Sequence, residues 1–599
     1  MKNIKLFKVL AVCCLGILAS CDVLDKKPLD IISDDVVWDD PVLVDAYVAA
    51  QYIDMTVLQM DAPQYQWGWP YKGGFLNVTS VTDEVGQPVW DLPNTTPIRT
   101  GSLNVSGGFM EYWELPYVLI RRLNEAIDRL PNSSNSPEFI SSRVAEARFM
   151  RALNYFYMVK RYGGVPLVTK ALQMDAPAEE MYPKRNSEQE VYDFIINEVN
   201  EIEEDLKNLP EEYGRATQGA ALALKCRAAL YAGSIAQFGT MQLDGLLGIP
   251  QEKAQSYYQA SYDAAMKIKS LGKYELYNQD ADKVENYKNI FIKERNSEII
   301  FAKQYDSSQN SWWYGFLLAP KPHGYNTGMA LTPSLEMVEE FEYTDGRPGK
   351  LDYDKVQGRM WTMEELWKDK DPRFYATVWT NGTPWKGGYI DSHHGLIDES
   401  GKLLENEQDA YKGVPAWGNQ NFLGSFATGF GILKMLNENS NANMDERDGQ
   451  DCPVFRYGEV IMNLAEAAFE LGKTNEALEA INEIRERAGI APKTSVDRET
   501  IRHERKVELA FEGHRYWDAR RWRIAEDVFS KQCTTVRYIM DYKTSDFSSN
   551  DLSTARNYQI MIIPNSDARS PQFNKEHYYF PITTARTQQN TNLVENPGY

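Results

Sequence analysis

Residues whose types and spacing could carry chemistry are few in this chain of 599 residues. His503-Glu504-Arg505-Lys506-Val507 opens like a zinc-protease helix, in which two histidines four residues apart share one face. Val507 stands where the second histidine is required, so the motif fails. His393-His394 belongs to a Gly- and Asp-containing stretch and reads as a pair of exposed loop residues. Asn441, Asn443 and Asp445 alternate like the oxygen ligands of a calcium loop. Glu446 takes the glycine position and Cys452 the twelfth, which excludes an EF-hand and leaves only an irregular calcium site open. No cofactor or metal ligand set is assigned. A phosphate-binding loop, a dinucleotide fingerprint and a serine elbow are all missing. Glycosidase chemistry needs two carboxylates about 5–10 Å apart in one cleft. Among 85 acids, Asp83-Glu84 is the one candidate pair, and nothing else in the sequence supports it.

The remaining chemical signal is aromatic. Gln66-Trp67-Gly68-Trp69-Pro70-Tyr71 and Ser311-Trp312-Trp313-Tyr314-Gly315 are loop-like in sequence and cannot all fill a helical core. Sugars present flat C–H faces that stack on such rings. One face burying perhaps 60–80 Å² yields roughly 2 kcal/mol at about 25 cal/mol/Å². Micromolar binding needs about 8 kcal/mol, so several rings and polar groups must act together. Trp67, Trp69, Trp90, Trp312, Trp313 and Tyr314 are therefore the expected glycan contacts, with Asp83 accepting sugar hydroxyls. They sit in two stretches, 64–90 and 305–325, and Trp67, Trp69 and Trp90 supply a second wall if the two meet. The loops at 379–417, with Trp385 and Trp417, are next in line.

Helices must position these loops. Apolar residues recur at helical spacing over roughly Pro41 to Leu58, Tyr112 to Leu130, Glu138 to Arg161, 187–208, Ala220 to Ala236 and Glu252 to Leu271. The pattern thins from about 297 to 455, with a short helix at Ser334 to Phe341. It returns as Tyr457 to Leu471, ended by Gly472, then Asn475 to Ala488. Arg498 to Phe511 and Tyr516 to Val528 follow, broken at Gly513. Paired helices of this size with small residues inside them predict a mostly α fold of tetratricopeptide-like repeats. The scaffold is expected from 41–58, 112–271 and 456–528. Residues 60–110 and 300–450 are expected to form a loop-rich ligand region carrying small β-hairpins. Connections that long usually carry function. Arg505, Glu508, Glu512, Arg515, Asp518 and Arg521 recur every three or four residues with mixed sign and read as an ion-pair ladder across packed helices.

Lys2, Lys5 and Lys8 precede an almost wholly apolar run from Val9 to Ala19. That run spans roughly 16 Å as a helix at about 1.5 Å per residue, against a hydrocarbon core of about 30 Å. It has the layout of a signal peptide over 1–20. Leu18-Ala19-Ser20-Cys21 resembles a bacterial lipobox, with Cys21 as the lipid attachment site and two or three acyl chains holding the protein on a membrane. Three other cysteines follow Cys21, at 226, 452 and 533. They are too far apart in sequence for a disulfide framework or a zinc set, and Cys226 falls within a helical apolar pattern. The formal net charge is −21, and loss of residues 1–20 makes it more negative. Such a surface repels phosphate backbones, so nucleic-acid binding is excluded as a role.

Several stretches together resemble the SusD/RagB family of nutrient-binding outer-membrane lipoproteins. They are Cys21-Asp22-Val23-Leu24-Asp25, then Ala145-Glu146-Ala147-Arg148-Phe149-Met150-Arg151-Ala152, and Tyr162-Gly163-Gly164-Val165-Pro166. Phe455-Arg456-Tyr457-Gly458-Glu459-Val460 also matches, as does Phe580-Pro581-Ile582 with Asn596-Pro597-Gly598-Tyr599. The most specific runs from Glu504 through Phe511-Glu512-Gly513-His514-Arg515-Tyr516-Trp517-Asp518 to Arg520-Arg521-Trp522. The resemblance covers nearly the whole chain. It implies a single domain over 21–599 built on four tetratricopeptide-like units, anchored at the cell surface on the outer membrane. It implies a SusC-like TonB-dependent transporter as partner, and capture of oligosaccharides without cleavage. The shared motifs mark the scaffold and carry over no ligand contact. A surface adaptor binding peptide or protein is the alternative, and a surface glycoside hydrolase a weaker one.

Overall fold

The computed structural model describes residues 34–59, 78–86, 96–107, 110–173, 175–207, 212–306, 312, 314–320, 331–405, 428–440, 448–567 and 570–599. The expected signal peptide and Cys21 lie outside these residues.

Helix α1 spans Pro41–Asp54 and is started by Asp40, whose carboxylate accepts from Val42 N at 2.8 Å. The scaffold continues through α2 (Glu114–Arg129), α3 (Pro137–Tyr162), α4 (Glu188–Leu206), α5 (Gln218–Phe238) and α6 (Ala254–Ser270). Ser136 caps α3, and Ser187 with Glu190 makes a reciprocal capping box on α4. After α7 (Lys283–Ile292) and a long insertion come α8 (Tyr457–Glu470), α9 (Thr474–Ala488), α10 (Arg498–Glu508) and α11 (Arg515–Arg521). Each scaffold helix packs on the next: α2 on α3, α3 on α4, α4 on α5, α5 on α6, α6 on α8, α8 on α9 and α9 on α10. This is the expected stack of helical pairs, and the insertion enters it between α6 and α8.

Helix α5 explains why the stack is tight. It is buried along almost its whole length, and its alanines let neighbours approach closely. At Gly233 an added Cβ would meet the Tyr258 ring of α6 at 3.0 Å. A larger side chain there forces the two helices apart, at about 1–3 kcal/mol.

Strand β1 (Ile299–Lys303) carries the chain out of the scaffold. Strand β5 (Cys452–Arg456) brings it back antiparallel to β1 with two register shifts. Between them lie β2 (Met360–Trp361), β3 (Gly395–Ile397) and β4 (Leu403–Glu405). These join β6 (Thr535–Asp541) and β7 (Tyr558–Ile563) in a five-stranded sheet of order β2-β7-β6-β3-β4. The β6–β7 pair is antiparallel and runs from Thr535↔Ile563 to Met540↔Tyr558, while β6 and β3 are parallel. The sequence marks no strand after 528, and this sheet joins residues 535–563 to the strands of the loop-rich 300–450 region.

Two hydrophobic cores result. One fills the helical stack and includes Phe149, Phe156, Leu222 and Ile461. The other lies under the insertion and is rich in aromatic residues, among them Trp312, Tyr314, Trp367, Trp379, Phe430 and Tyr538. Among the described residues, no helix is long and apolar enough to cross a membrane.

Candidate functional site

Tryptophan-bearing stretches border the described structure at two shared points. At the first, Gln59 is the last described residue before 60–77, and its side-chain oxygen accepts from Tyr305 OH at 2.8 Å. The Tyr305 ring stacks on Trp312, with centroids 5.3 Å apart and planes at 4°. Trp312 exchanges main-chain bonds with Asp448 in both directions at 3.1 Å, and Asp448 accepts from Ser440 Oγ at 2.7 Å. The start of 60–77 and the ends of 307–311 and 441–447 therefore border one small frame.

At the second point, Gly86 N donates to Thr332 O at 2.9 Å. Gly86 is the last described residue before 87–95, and Thr332 follows closely on 321–330. Val85 bridges to Pro333. A Cβ on Gly86 would stand 2.5 Å from Thr428 Cγ2, so only glycine lets these segments approach. Thr428 is the first described residue after 406–427. The two points belong to the same core, through Val85 and Trp312.

The frame rests on the scaffold through Lys434. Its Nζ is buried and donates to Glu508 O at 3.1 Å, Ala510 O at 3.0 Å and Glu512 Oε1 at 2.6 Å. Its carbonyl accepts from Tyr314 OH at 2.5 Å, and the Tyr314 ring leans on Trp312 at 4.9 Å. Burial lowers the Lys434 ammonium to about 8, against the pull of Glu512.

The expected contacts fare unequally. Trp67, Trp69, Trp90 and Trp313 lie outside the described residues, as does Trp417. Trp312 and Tyr314 are 0% and 1% exposed. Neither turns a ring face to solvent, so the expectation that they stack on sugar is corrected: they form the floor. Asp83 is also corrected. Its Oδ1 lies 2.8 Å from Arg515 Nε, and its Oδ2 lies 2.8 Å from Arg515 Nη2 and 3.0 Å from Lys506 Nζ. Burial alone would raise this carboxyl, but Arg515 and Lys506 hold it well below the usual range. A carboxylate clamped by two cations is a joint between segments, not an acceptor for a ligand. Its neighbour Glu84 accepts from Phe511 N at 2.9 Å. Burial, aided by the Asp83 charge, pushes Glu84 up to about 7. The pair thus holds the 78–86 segment onto the scaffold.

Trp385 is buried, in a small hairpin of Pro384–Trp385 with Gly388–Tyr389. His393 and His394 are buried rather than exposed, and His393 Nδ1 sits 2.5 Å from Asp391 Oδ1. Among the described residues, no cluster of three or more His, Cys, Asp or Glu is placed to hold a metal. Asn441, Asn443 and Asp445 lie outside them.

The charged run at 505–521 is structural, as expected, but its geometry differs from a ladder. Among the described residues, Arg505–Asp518 at 2.8 Å links the two helices, and Arg521–Asp518 at 2.9 Å lies within one. The others reach to distant segments. Glu508 takes Arg456 at 2.7 Å, Arg373 at 3.0 Å and Arg487, while Glu512 takes Arg456 at 2.7 Å. Burial favours the neutral acid at Glu508, yet Arg487, Arg456 and Arg373 hold it well below the usual range. Tyr305, Lys434, Asp448 and Thr428 build the frame, and the sequence singled out none of them.

A family model described as the SusD family matches residues 297–599. The chain belongs to the SusD family. A second model, described as starch-binding and associating with the outer membrane, matches residues 94–230 of this SusD-family protein. It is 25% identical over 550 residues to a SusD-like protein of Formosa agariphila, covering 86% of this chain and 90% of that one. To the starch-binding protein SusD of Bacteroides thetaiotaomicron it is 26% identical over 472 residues, covering 76% and 72%. The crystal structure of a SusD-like protein of Bacteroides fragilis superposes with a TM-score of 0.71 at 26% identity, covering 96% of this chain and 100% of that one.

Proposed function

We propose that this SusD-family protein is a lipid-anchored glycan-binding protein of the cell surface. It captures oligosaccharides and passes them, uncleaved, to a SusC-like TonB-dependent transporter in the outer membrane. The observation that carries the reading is the shared frame. Stretches bearing Trp67, Trp69, Trp90, Trp313 and Trp417 depart from two points of one rigid aromatic core. Relatives of the chain include a starch-binding protein, which supports a carbohydrate over a peptide. Micromolar affinity demands several stacking faces, and these stretches carry five tryptophans. The acid pair once considered for hydrolysis, Asp83 and Glu84, is engaged by Arg515, Lys506 and the Phe511 amide, which disfavours cleavage.

The test is calorimetric titration with a glycan panel, using protein that begins after Cys21. Replacing Trp313, and at least one of Trp67, Trp69 and Trp90, by Ala should weaken binding at least tenfold, about 1.4 kcal/mol, with unchanged melting. Glycan chain length should stay constant during incubation. Four alanine variants that all bind like the parent would overturn the assignment of the site.

A further inference from the structure

The turn between α10 and α11 is held by two segments from outside the scaffold. Phe511 in this turn has φ +61°, a left-handed conformation that a bulky residue keeps only when its surroundings hold it. Lys434 Nζ donates to Glu508 O at 3.1 Å and Ala510 O at 3.0 Å. Glu84 Oε1 accepts from Phe511 N at 2.9 Å. Glu84 belongs to the 78–86 segment, which ends at Gly86 beside the stretch that carries Trp90.

The hydrogens around Glu84 are too few for a carboxylate. The residue is 1% exposed. Its Oε1 has the Phe511 N–H, while its Oε2 lies 3.2 Å from Thr82 Oγ1. A hydroxyl has one hydrogen, and Thr79 O competes for it at the shorter distance of 2.8 Å. Thr82 Oγ1 also accepts from Glu84 N at 3.2 Å, which leaves it one lone pair. A neutral carboxyl fits this arrangement. Its O–H donates to the remaining lone pair of Thr82, and its C=O accepts from Phe511.

The charged groups packed around Glu84 are engaged elsewhere. On α10, Arg505 pairs with Asp518 at 2.8 Å, and Lys506 with Asp83 at 3.0 Å and Glu340 at 2.8 Å. On α11, Arg515 pairs with Asp83 at 2.8 Å and Asp518 also takes Arg521 at 2.9 Å. Arg99 donates to Thr82 O at 2.9 Å and lies 3.5 Å from Asp567. Burial, with cations around it, keeps His514 neutral. Among the described residues, none of these cations is bonded to the Glu84 carboxyl. The charge of Asp83 adds to burial in raising it.

We propose that Glu84 is a proton-operated latch that fastens residues 78–86 to the α10–α11 turn as the neutral acid and loosens them when it ionises. The proton leaves to solvent, and Oε2 must then compete with Thr79 O for a single hydrogen, beside the charge of Asp83. Acidification tightens the seat from which the Trp90 stretch starts. The inference does not depend on what the ligand is.

The test is amide hydrogen exchange in the mature protein and in Glu84→Gln, corrected at each pH for intrinsic exchange. Glutamine keeps both bonds, its Nε2 donating to Thr82 Oγ1, and cannot ionise. In the parent, opening of residues 78–86 and of the Phe511 amide should rise about tenfold per pH unit between about 5 and 7 and level off above. A carboxyl raised to about 7 in the fold from 4.5 requires this, because the grip is full below the lower value and lost as pH rises through the higher. Glu84→Gln should lack the rise, and Glu84→Ala should open the segment at every pH. If the glutamine variant does not fold, the parent's own profile decides. A parent whose 78–86 opening is flat over that range, or a glutamine variant that rises with it, would overturn the proposal.

Discussion

Replacing Trp312 by Ala separates a floor from a binding surface. The side chain is 0% exposed, lies parallel to Tyr305 at 5.3 Å and meets Tyr314 at 4.9 Å. Truncating a buried aromatic to Ala costs about 3–5 kcal/mol. Each lost aromatic pair accounts for roughly 0.5–1.5 kcal/mol of such a figure beyond its area. The indole nitrogen has no hydrogen bond among the described residues, so removing it strands no partner. The main-chain exchange with Asp448 survives in alanine. About 4 kcal/mol is therefore expected, visible as a lower urea midpoint with the slope unchanged. Trp312→Phe keeps a ring against Tyr305 and should recover most of it. Glycan affinity of the folded fraction should fall far less than stability does. A Trp312→Ala protein that unfolds at the parent's urea midpoint and has lost binding would refute this reasoning, and would put the ring at the ligand.

Three further outcomes are expected. Arg515→Ala should destabilise by about 2–3 kcal/mol in urea titrations, below the 3–5 of a lone buried pair because Lys506 remains on Asp83; an unchanged midpoint would show that the clamp contributes nothing. Glu84 has a folded pKa raised to about 7 from 4.5, so the fold binds its proton more tightly than the unfolded chain. The stability this gives is full below about 4.5 and is lost as pH rises through 7, a change of roughly 3 kcal/mol. Stability profiles of parent and Glu84→Gln should diverge across that window, and parallel profiles would count against the assignment. Finally, Cys21→Ala should release the protein from membranes or block its processing, as fractionation and intact mass would report; normal cleavage with membrane retention would end the lipid-anchor reading.

The helical stack was legible because its stripes are local. Val191, Ile195, Val199, Ile202 and Leu206 mark α4 without reference to anything distant. The sheet was not legible, because its strands come from 360–405 and 535–563 and only the fold brings them together. The floor of the site was misread for a related reason. Trp312 and Tyr314 sit in loop-like sequence, and sequence alone did not reveal a second core built from such segments. Asp83 was misread because its partners, Lys506 and Arg515, lie more than four hundred positions away. Ion pairs of that separation leave no spacing to detect. The motif at 504–522 was recognised as scaffold from its residues, yet where its carboxylates reach depended on Arg373, Arg456 and Arg487.

The two points of emergence have a consequence for engineering and for divergence. One end of each of the stretches 60–77, 87–95 and 406–427 is pinned in the floor: Gln59 against Tyr305, Gly86 against Thr332 and Thr428. What lies beyond the pins can change length and composition without altering the stack beneath. The stretches then behave as exchangeable cassettes in a fixed socket. Transplanting residues 60–77 and 87–95 from a relative, with the pinning residues retained, should move ligand preference with them and leave the host's melting behaviour its own.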